Sequence, residues 1–383
     1  MSRPVYLDYN ATTPVDPRVV EAMLPFLHMH YGNPSSEHAY GHAAKAAVDQ
    51  ARAEVAALIG ARPEEIVFTG CATEANNLAL LGVARALASG SRRTLIYSAI
   101  EHPSVAQPMR QLAGTGWSTR EIPVDATARI DASALQIGSD VALVSVMLAN
   151  NEVGTIQPVR AISKLAHAAG ALLHVDAAQA VGKIEVNVDD LGCDLLTLAG
   201  HKFYAPKGVG ALYVRSGTPI AAIQFGAGHE HGLRPGTENV PHIAALGKAA
   251  RLAREELSAE SSRIRALRDE LHHRLASAIP GLMLNGHPEE RLPNTLNLSF
   301  PFVTGWDLLN EAQTLAASTG SACHAGSHAV SGVLAAMGCT AERAAGAVRL
   351  SLGRFSTEAE IGIAAESLID AWSRLSALGK DKK

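Results

Sequence analysis

Apolar and polar positions alternate along the chain so that strands and helices are predicted in turn from about residue 16 to 215. The short apolar runs typical of buried strands occur at 65–68, 94–98, 141–148, 171–175, 194–199 and 210–214. Amphipathic segments of helical length separate these runs, such as 158–169, which begins at Pro158 and ends before Gly170. This alternation predicts an α/β fold with a mostly parallel sheet covered on both faces.

The first helix has a clear start signal. Asp16 is expected to be its N-cap and Pro17 its first residue, because an aspartate oxygen accepts open amides and proline has no N–H to satisfy. Its predicted apolar stripe consists of Val20, Met23, Leu24 and Leu27.

The pattern changes after about residue 240. Residues 241–278 predict one long helix, or two in succession. Further elements are predicted as a strand at 295–300, a helix near 306–315, a strand at 347–352 and a helix at 357–377. This order indicates a smaller α+β domain, so the chain is divided into a large domain, 16–255, and a small domain formed by 1–15 and 256–383.

Composition and charge narrow the class of protein. Of 383 residues, 47% are hydrophobic and 18% are charged, which is ordinary for a globular protein with a sizeable core. The net charge of −4 gives no electrostatic reason to expect binding to nucleic acid or to an anionic membrane. No apolar run reaches about 18 residues, so no membrane span is predicted.

The cysteines predict a reducing environment. Cys71, Cys193, Cys323 and Cys339 are scattered and form no CxxC pair, which argues against a disulfide framework or a cysteine-based zinc site. The N-terminus also lacks the pattern of a signal peptide, and we expect a cytoplasmic protein.

Two segments with reactive side chains follow predicted strands. Asp176 and Gln179 come after one strand and Lys202 after the next, where open α/β sheets place their ligands. A lysine amine and a carboxylate at neighbouring strand ends suit pyridoxal 5'-phosphate. The amine forms a Schiff base with the aldehyde, and the carboxylate keeps the pyridine nitrogen protonated.

Four further positions add to this chemistry. The turn before the helix at 73–88 offers its amides and the Thr73 hydroxyl to an anion. His102 follows a strand and could stack on a flat ring, although a loop histidine is more often exposed. Cys323 lies in a segment of small residues, 318–327, where a thiol can be reactive or simply inert. Arg354 follows a strand and could bind a carboxylate or a surface acid.

Several segments, taken in order over essentially the whole chain, resemble the cysteine desulfurases and selenocysteine lyases. These belong to the class V aminotransferase group of fold type I pyridoxal-phosphate enzymes. The segments are Tyr6-Leu7-Asp8-Tyr9-Asn10-Ala11-Thr12-Thr13-Pro14, Gly32-Asn33-Pro34-Ser35-Ser36, Ala149-Asn150-Asn151-Glu152-Val153-Gly154 and Arg234-Pro235-Gly236-Thr237-Glu238-Asn239.

The resemblance implies a role for each matching residue. Lys202 is expected to hold the cofactor, Asp176 to pair with its ring nitrogen and His102 to stack on the ring. Gln179 and Asn151 are expected to contact the ring or the substrate, and the expected phosphate contacts are Ala72, Thr73, His201 and, from a second subunit of a homodimer, Thr237. Asn33 and Arg354 are expected to bind the substrate carboxylate, and Cys323 is the expected nucleophile.

Three positions depart from the desulfurase pattern. Ala199 stands where a serine is usual, Cys71 where the phosphate loop usually has glycine, and His324 where threonine is common. The resemblance therefore implies conversion of L-cysteine to L-alanine with a persulfide on Cys323, passed to a protein acceptor such as an iron–sulfur scaffold. Release of selenium from L-selenocysteine is an alternative, as is a catalytically silent sulfur carrier.

Overall fold

The central feature of the structure is a sheet whose strands carry most of the predicted apolar runs. The computed structural model describes residues 3–320 and 331–380. The strands are β1 (Val5–Tyr6), β2 (Ile66–Thr69), β3 (Thr94–Ser98), β4 (Ser118–Ile122), β5 (Val141–Met147), β6 (Leu172–Asp176), β7 (Leu195–Ala199), β8 (Gly210–Val214), β9 (Met283–Asn285), β10 (Thr295–Ser299), β11 (Leu315–Ala316) and β12 (Ala347–Ser351).

Helices precede, separate and follow these strands. They are α1 (Pro17–Met23), α2 (Pro25–His28), α3 (Ala39–Leu58), α4 (Ala72–Ala86), α5 (Pro103–Ala113), α6 (Val159–Ala168), α7 (Val188–Leu191), α8 (Val240–Ala278), α9 (Gly305–Glu311), α10 (Gly332–Ala336), α11 (Ala341–Ala345) and α12 (Glu358–Lys380). None of the helices in the described ranges is long and apolar enough to cross a membrane.

The large sheet has seven strands in the order β2-β8-β7-β6-β5-β3-β4. Strand β8 runs antiparallel to both of its neighbours, and the pairings from β7 to β4 are all parallel. Every residue of β5 and of β7 is buried, as expected where helices cover both faces. The predicted α/β class is confirmed, and the six predicted runs are strands of this sheet.

Strand β4 was not predicted because its sequence is not apolar. It pairs only with β3 at the edge of the sheet, and three of its residues are exposed. Edge strands commonly carry charged side chains, and β4 does so at Arg120 and Glu121. Such a strand has no apolar run by which the sequence could predict it.

The predicted apolar stripe of the first helix is wrong in part. Asp16 does cap α1, accepting the Arg18 amide at 2.9 Å. The buried residue of α1 is Val19, whereas Val20 is 37% exposed and Leu27 is 55% exposed. The stripe assumed one continuous helix, whereas α1 ends at Met23 and Pro25 begins a separate helix, α2.

Helix α8 joins the two halves of the molecule. It is one helix of 39 residues, and its first part packs in the core around the large sheet. Gly247 allows close packing on α3, since a Cβ there would lie 2.5 Å from Ala51 Cα. The second part, from Ile264 to Leu275, packs in a separate core. We propose that the domain boundary near residue 255 lies in α8, between these two packing regions.

The second core is built on a small antiparallel sheet, β12-β10-β9. The N-terminal segment joins it, because β1 pairs with β11 and Asp8 forms a bridge to Ser351 at the end of β12. Asn10 and Ala11, which come next in the chain, therefore lie where the small sheet meets the edge of the large one. This is the place at which the predicted site residues meet.

Candidate active site

A cavity of about 270 Å³ lies at the edge where three neighbouring strands, β5, β6 and β7, come to an end. Met147, Asp176 and Ala199, the last residues of these strands, all line it. Eight of the predicted site residues line the same cavity, namely Ala72, Thr73, His102, Asn151, Asp176, Gln179, His201 and Lys202. The parallel pairing explains this, since the carboxyl ends of such strands share one edge.

Asp176 is held as a carboxylate by neutral donors. Its Oδ2 accepts a hydrogen bond from Asn76 Nδ2 at 2.8 Å, and its Oδ1 accepts from the Ala178 amide at 3.0 Å. The residue is only 6% exposed, and among the described residues no cation forms an ion pair with it. A buried carboxylate without a cation is suited to pair with a cationic group of a ligand.

The same hydrogen-bond network determines the tautomer of His102. Its Nδ1 accepts the Ser104 amide at 3.1 Å and lies 2.8 Å from Ser104 Oγ, which itself accepts from Asn76 Nδ2. Because a backbone amide can only donate, Nδ1 has no proton and a neutral ring holds its proton on Nε2. Burial lowers the pKa of His102, which keeps the ring neutral.

A second acid beside His102 was missed by the sequence reasoning. Glu101 accepts hydrogen bonds from Ser98 Oγ and from the Met147 amide, each at 2.7 Å. Burial raises the pKa of Glu101 to about 8, with the nearby Asp176 adding to the effect. At pH 7 the Glu101 carboxyl is therefore mainly protonated.

Lys202 lies on the opposite side of the same set of strand ends. Its Nζ donates to Asn10 O at 2.6 Å and to Ala11 O at 2.8 Å, so the N-terminal segment holds the amine at the cavity. Burial and the neighbouring lysines lower the pKa of His201 to about 4, which leaves its imidazole neutral. His201 Nδ1 lies 3.1 Å from Thr12 Oγ1.

The first turn of α4 forms an anion-binding end of the cavity. Cys71 is its N-cap but makes no side-chain hydrogen bond to it, so the amides of the first turn are open to a ligand. Gly210 of β8 allows this turn to lie against the sheet, because a Cβ there would be 3.0 Å from the Cys71 carbonyl carbon and 3.2 Å from the Ala72 nitrogen.

Arg349 is the most important residue that the sequence reasoning missed. It lies in β12, its side chain is 2% exposed, and its guanidinium reaches the cavity. Nη2 pairs with Asp8 Oδ1 at 2.7 Å and Nη1 donates to Asn151 O at 3.2 Å, while Nε has no partner among the described residues. The sequence signal that could have identified it is an arginine inside an otherwise apolar strand, because a buried guanidinium needs a buried acceptor.

The residues predicted to bind the substrate carboxylate are not brought to this cavity. Arg354 pairs with Asp16 at 2.5 Å and with Glu256 at 3.0 Å, and its guanidinium lies over the ring of Tyr204. These acids already neutralise it. Asn33 lies in an exposed turn, where its Oδ1 accepts the Ser35 amide at 2.9 Å.

Cys323 and Thr237 are the two remaining predicted residues. Cys323, like His324 beside it, lies outside the residues that the structure describes. On either side of the undescribed range, Ser318 bridges to Arg349 and Ser331 Oγ donates to Glu152, so both neighbouring segments start close to the cavity. Thr237 is exposed and does not line the cavity of its own subunit.

The donor set fits pyridoxal phosphate. An amine at Lys202, a carboxylate at Asp176 and the open amides of α4 match an aldehyde, a pyridine nitrogen and a phosphate. When bound, this cofactor supplies an electrophilic carbon and a ring that withdraws electrons from the substrate's α-carbon.

Comparison with known proteins agrees with this fit. The model of the aminotransferase class-V family matches residues 5–363. A cysteine desulfurase IscS of Methylococcus capsulatus is 44% identical over 380 residues, covering 98% of this chain and 94% of the relative. The human cysteine desulfurase is 43% identical over 378 residues, covering 97% and 82%.

Solved structures show the same relationship. A NifS-like protein superposes with a TM-score of 0.91 at 39% identity, covering 97% of this chain and 100% of that one. SspA, solved in complex with cysteine, has a TM-score of 0.81 at 34% identity, covering 92% and 99%. The chain therefore belongs to the class V aminotransferase family, within which it is a pyridoxal-phosphate-dependent enzyme of the cysteine desulfurase group.

Proposed function

We propose that the chain converts L-cysteine to L-alanine and leaves the sulfur on Cys323 as a persulfide. The observation that carries the proposal is one cavity that combines the Lys202 amine, the Asp176 carboxylate and the open amides of α4. A bound pyridoxal phosphate would place its reactive carbon at Lys202 and its ring nitrogen at Asp176. The Lys202 amine, once released, can then move the α-proton of the substrate.

Arg349 takes over the role that the sequence assigned to Arg354. It is the arginine that lines the cavity, and its Nε has no hydrogen-bond partner among the described residues. A planar guanidinium can bind a carboxylate through two parallel hydrogen bonds, which would orient the amino acid over Lys202. Asp8 pairs with one nitrogen and so orients the group.

The sulfur step balances without an outside oxidant. The Cys323 thiolate attacks the substrate sulfur, so an S–S bond forms and the substrate's C–S bond breaks. The electron pair of that bond stays on the substrate carbon, which takes up a proton to give alanine. The flanking segments of Cys323 begin beside Arg349 and Glu152, which supports a reach from this segment to the cavity.

The persulfide sulfur needs an acceptor, and a protein of iron–sulfur cluster assembly or of thiolation remains our proposal. The similarity to a relative named cysteine desulfurase IscS supports the desulfurase reaction, and the acceptor is part of the proposal. A cytoplasmic location and the lack of nucleic-acid binding stay predictions from the sequence.

A homodimer is the proposed assembly. Exposed apolar side chains recur between residues 24 and 40, in a segment that we call the α1–α2 face: Leu24, Leu27, Met29, Tyr31 and Tyr40. The rings of Tyr31 and Tyr40 are in contact, and a group of exposed apolar side chains is typical of a protein interface. The exposed Thr237 fits the same assembly, since it would contact the phosphate in the partner's cavity.

Because of Ala199, L-selenocysteine has to be tested as a substrate beside L-cysteine. It lines the cavity at the position where a serine is usual, so one side-chain hydrogen bond to the cofactor is absent there. Alanine release from L-cysteine and L-selenocysteine should be compared in parallel, and turnover of selenocysteine alone would overturn the desulfurase proposal.

Replacing Arg349 by lysine is expected to raise KM for L-cysteine by roughly 10- to 100-fold while cofactor absorption is retained. The reason is the loss of a charge-assisted pair of hydrogen bonds, worth about 1.5–3 kcal/mol. The matched control is Arg354→Lys, which should leave KM nearly unchanged. Steady-state kinetics with both variants decide the assignment, and the reverse pattern would return the role to Arg354.

Replacing Cys323 by serine is expected to abolish persulfide formation and reduce alanine release to a residual level, because a hydroxyl is a poor nucleophile toward sulfur. The protein should keep its cofactor and its visible absorption. Mass spectrometry after reaction with L-cysteine detects one added sulfur atom. Cys71→Ser is the control and should keep that adduct, while an adduct that persists in Cys323→Ser would disprove the assignment.

Replacing Leu27 by aspartate is expected to weaken the dimer by about 100-fold, since a charge would be buried in an apolar interface at a cost of roughly 3 kcal/mol. Ile363→Asp, at an exposed apolar position of α12, is the control and should leave the mass unchanged. Light scattering over a range of protein concentrations measures the assembly. A wild-type monomer, or equal behaviour of the two variants, would contradict the proposal.

A further inference from the structure

A second lysine lies beside the cavity and has no role in the chemistry described above. Lys183 Nζ donates to Gln179 Oε1 at 2.7 Å and to Asn10 Oδ1 at 3.0 Å. Both partners are neutral, and no carboxylate forms an ion pair with this amine within the described residues. Burying an amine whose partners are only amide oxygens costs free energy of folding. A function for Lys183 would explain why the amine lies at this place.

The geometry determines which way the Gln179 side chain points. A protonated lysine has only donors, so the end of the carboxamide that faces the Lys183 ammonium must be its oxygen. The Gln179 Nε2 group is therefore directed the other way, where one of its hydrogens is donated to Asn10 O at 2.9 Å. The second hydrogen is not donated to any described residue, and Gln179 lines the cavity.

The orientation is kept even when the Lys183 amine is neutral, because Gln179 Nε2 also donates to the Asn10 backbone oxygen, which can only accept. Burial lowers the pKa of Lys183 well below its usual range, and the nearby Lys202 and Arg349 cations add to the effect. A neutral amine still has two hydrogens, which is enough for its two acceptors. The carboxylates of Asp176, in the cavity lining, and of Asp8, which contacts Arg349, have other partners: Asp176 accepts from Asn76 and Asp8 pairs with Arg349.

We propose that Lys183 is a positioning residue that, together with the Asn10 backbone oxygen, holds the Gln179 carboxamide so that an N–H group, rather than a carbonyl oxygen, faces the bound cofactor. The inference rests on the proposed function. Gln179 Nε2 and Lys202 Nζ donate to the same Asn10 oxygen, so with the reactive carbon at Lys202 the group that Gln179 would meet is the neighbouring anionic ring oxygen of pyridoxal phosphate. A donor at this oxygen stabilises its deprotonated form. An inverted carboxamide would place its own oxygen against that anion and favour protonation.

The test is a pH titration of the cofactor's visible absorption in the intact, cofactor-loaded enzyme. Lys183→Met is expected to raise the pH midpoint of the transition by about one unit, because loss of one hydrogen bond to a charged group is of that size. Lys183→Arg, which still donates, should stay close to wild type. Lys183→Ala is measured alongside and should shift in the same direction as Lys183→Met.

A double-variant cycle shows whether Lys183 acts through Gln179. Gln179→Leu alone should shift the midpoint about as much as Lys183→Met, and adding Lys183→Met to it should shift the midpoint no further. If Lys183 only stabilised the fold, replacing it would alter the midpoint of unfolding but would not produce this pattern of shifts in the pH midpoint of the cofactor absorption.

Two results would overturn the inference. One is an unchanged midpoint in both Lys183→Met and Lys183→Ala, and the other is a Lys183→Met shift that is just as large in the Gln179→Leu background. Failure of the proposed function would show differently, as a wild-type protein without any visible absorption after incubation with pyridoxal phosphate.

Discussion

The whole cavity depends on the hydrogen bonds of one buried amide, Asn10, where the two cores meet. Its backbone oxygen accepts from Lys202 and Gln179, and its side-chain oxygen accepts from Lys183 and Asn294. Its side-chain nitrogen donates to Thr295 Oγ1 and Asn151 O, so each of these polar groups has a partner. Because a buried polar group without a partner costs about 1–3 kcal/mol, this arrangement has few alternatives of similar energy. The N-terminal segment, the large sheet and the small sheet are held together at the residue that positions Lys202, the lysine proposed to hold the cofactor.

The charged and neutral groups around the cavity are separated onto two sides. On one side lies Asp176, next to Glu101, which is mainly protonated at neutral pH, and His102, which is neutral with its proton on Nε2. On the other side lie the cationic Lys202 and Arg349. A ligand with a cationic ring nitrogen and anionic carboxylate and phosphate groups would complement this separation, and the open amides of α4 extend its positive side. The separation arises from strand order, because neighbouring parallel strands present their ends side by side.

Much of this was predictable from the sequence, and the failures have physical causes. The strands β5, β6 and β7 were found because full burial leaves unbroken apolar runs, and Asp176 and Lys202 were found because they follow such runs. Strand β4 was missed because an edge strand needs no apolar run, and the exposed Leu27 was misjudged because Pro25 divides the helix. Arg354 was preferred over Arg349 because a residue after a strand is easier to read as functional than one inside it. Only the tertiary structure shows that Asp16 and Glu256 already neutralise Arg354. The contact between Lys183 and Asn10 could not be predicted, since the two residues lie far apart in the sequence.

The most direct test of the account is to find which amine holds the cofactor. The protein would be loaded with pyridoxal phosphate, reduced with borohydride, digested and mapped by mass spectrometry. We predict a pyridoxyl phosphate group on Lys202, whose amine lines the cavity, and none on Lys183, whose amine is directed to Gln179 and Asn10. A group on Lys183, or no modified lysine after reduction, would contradict the account.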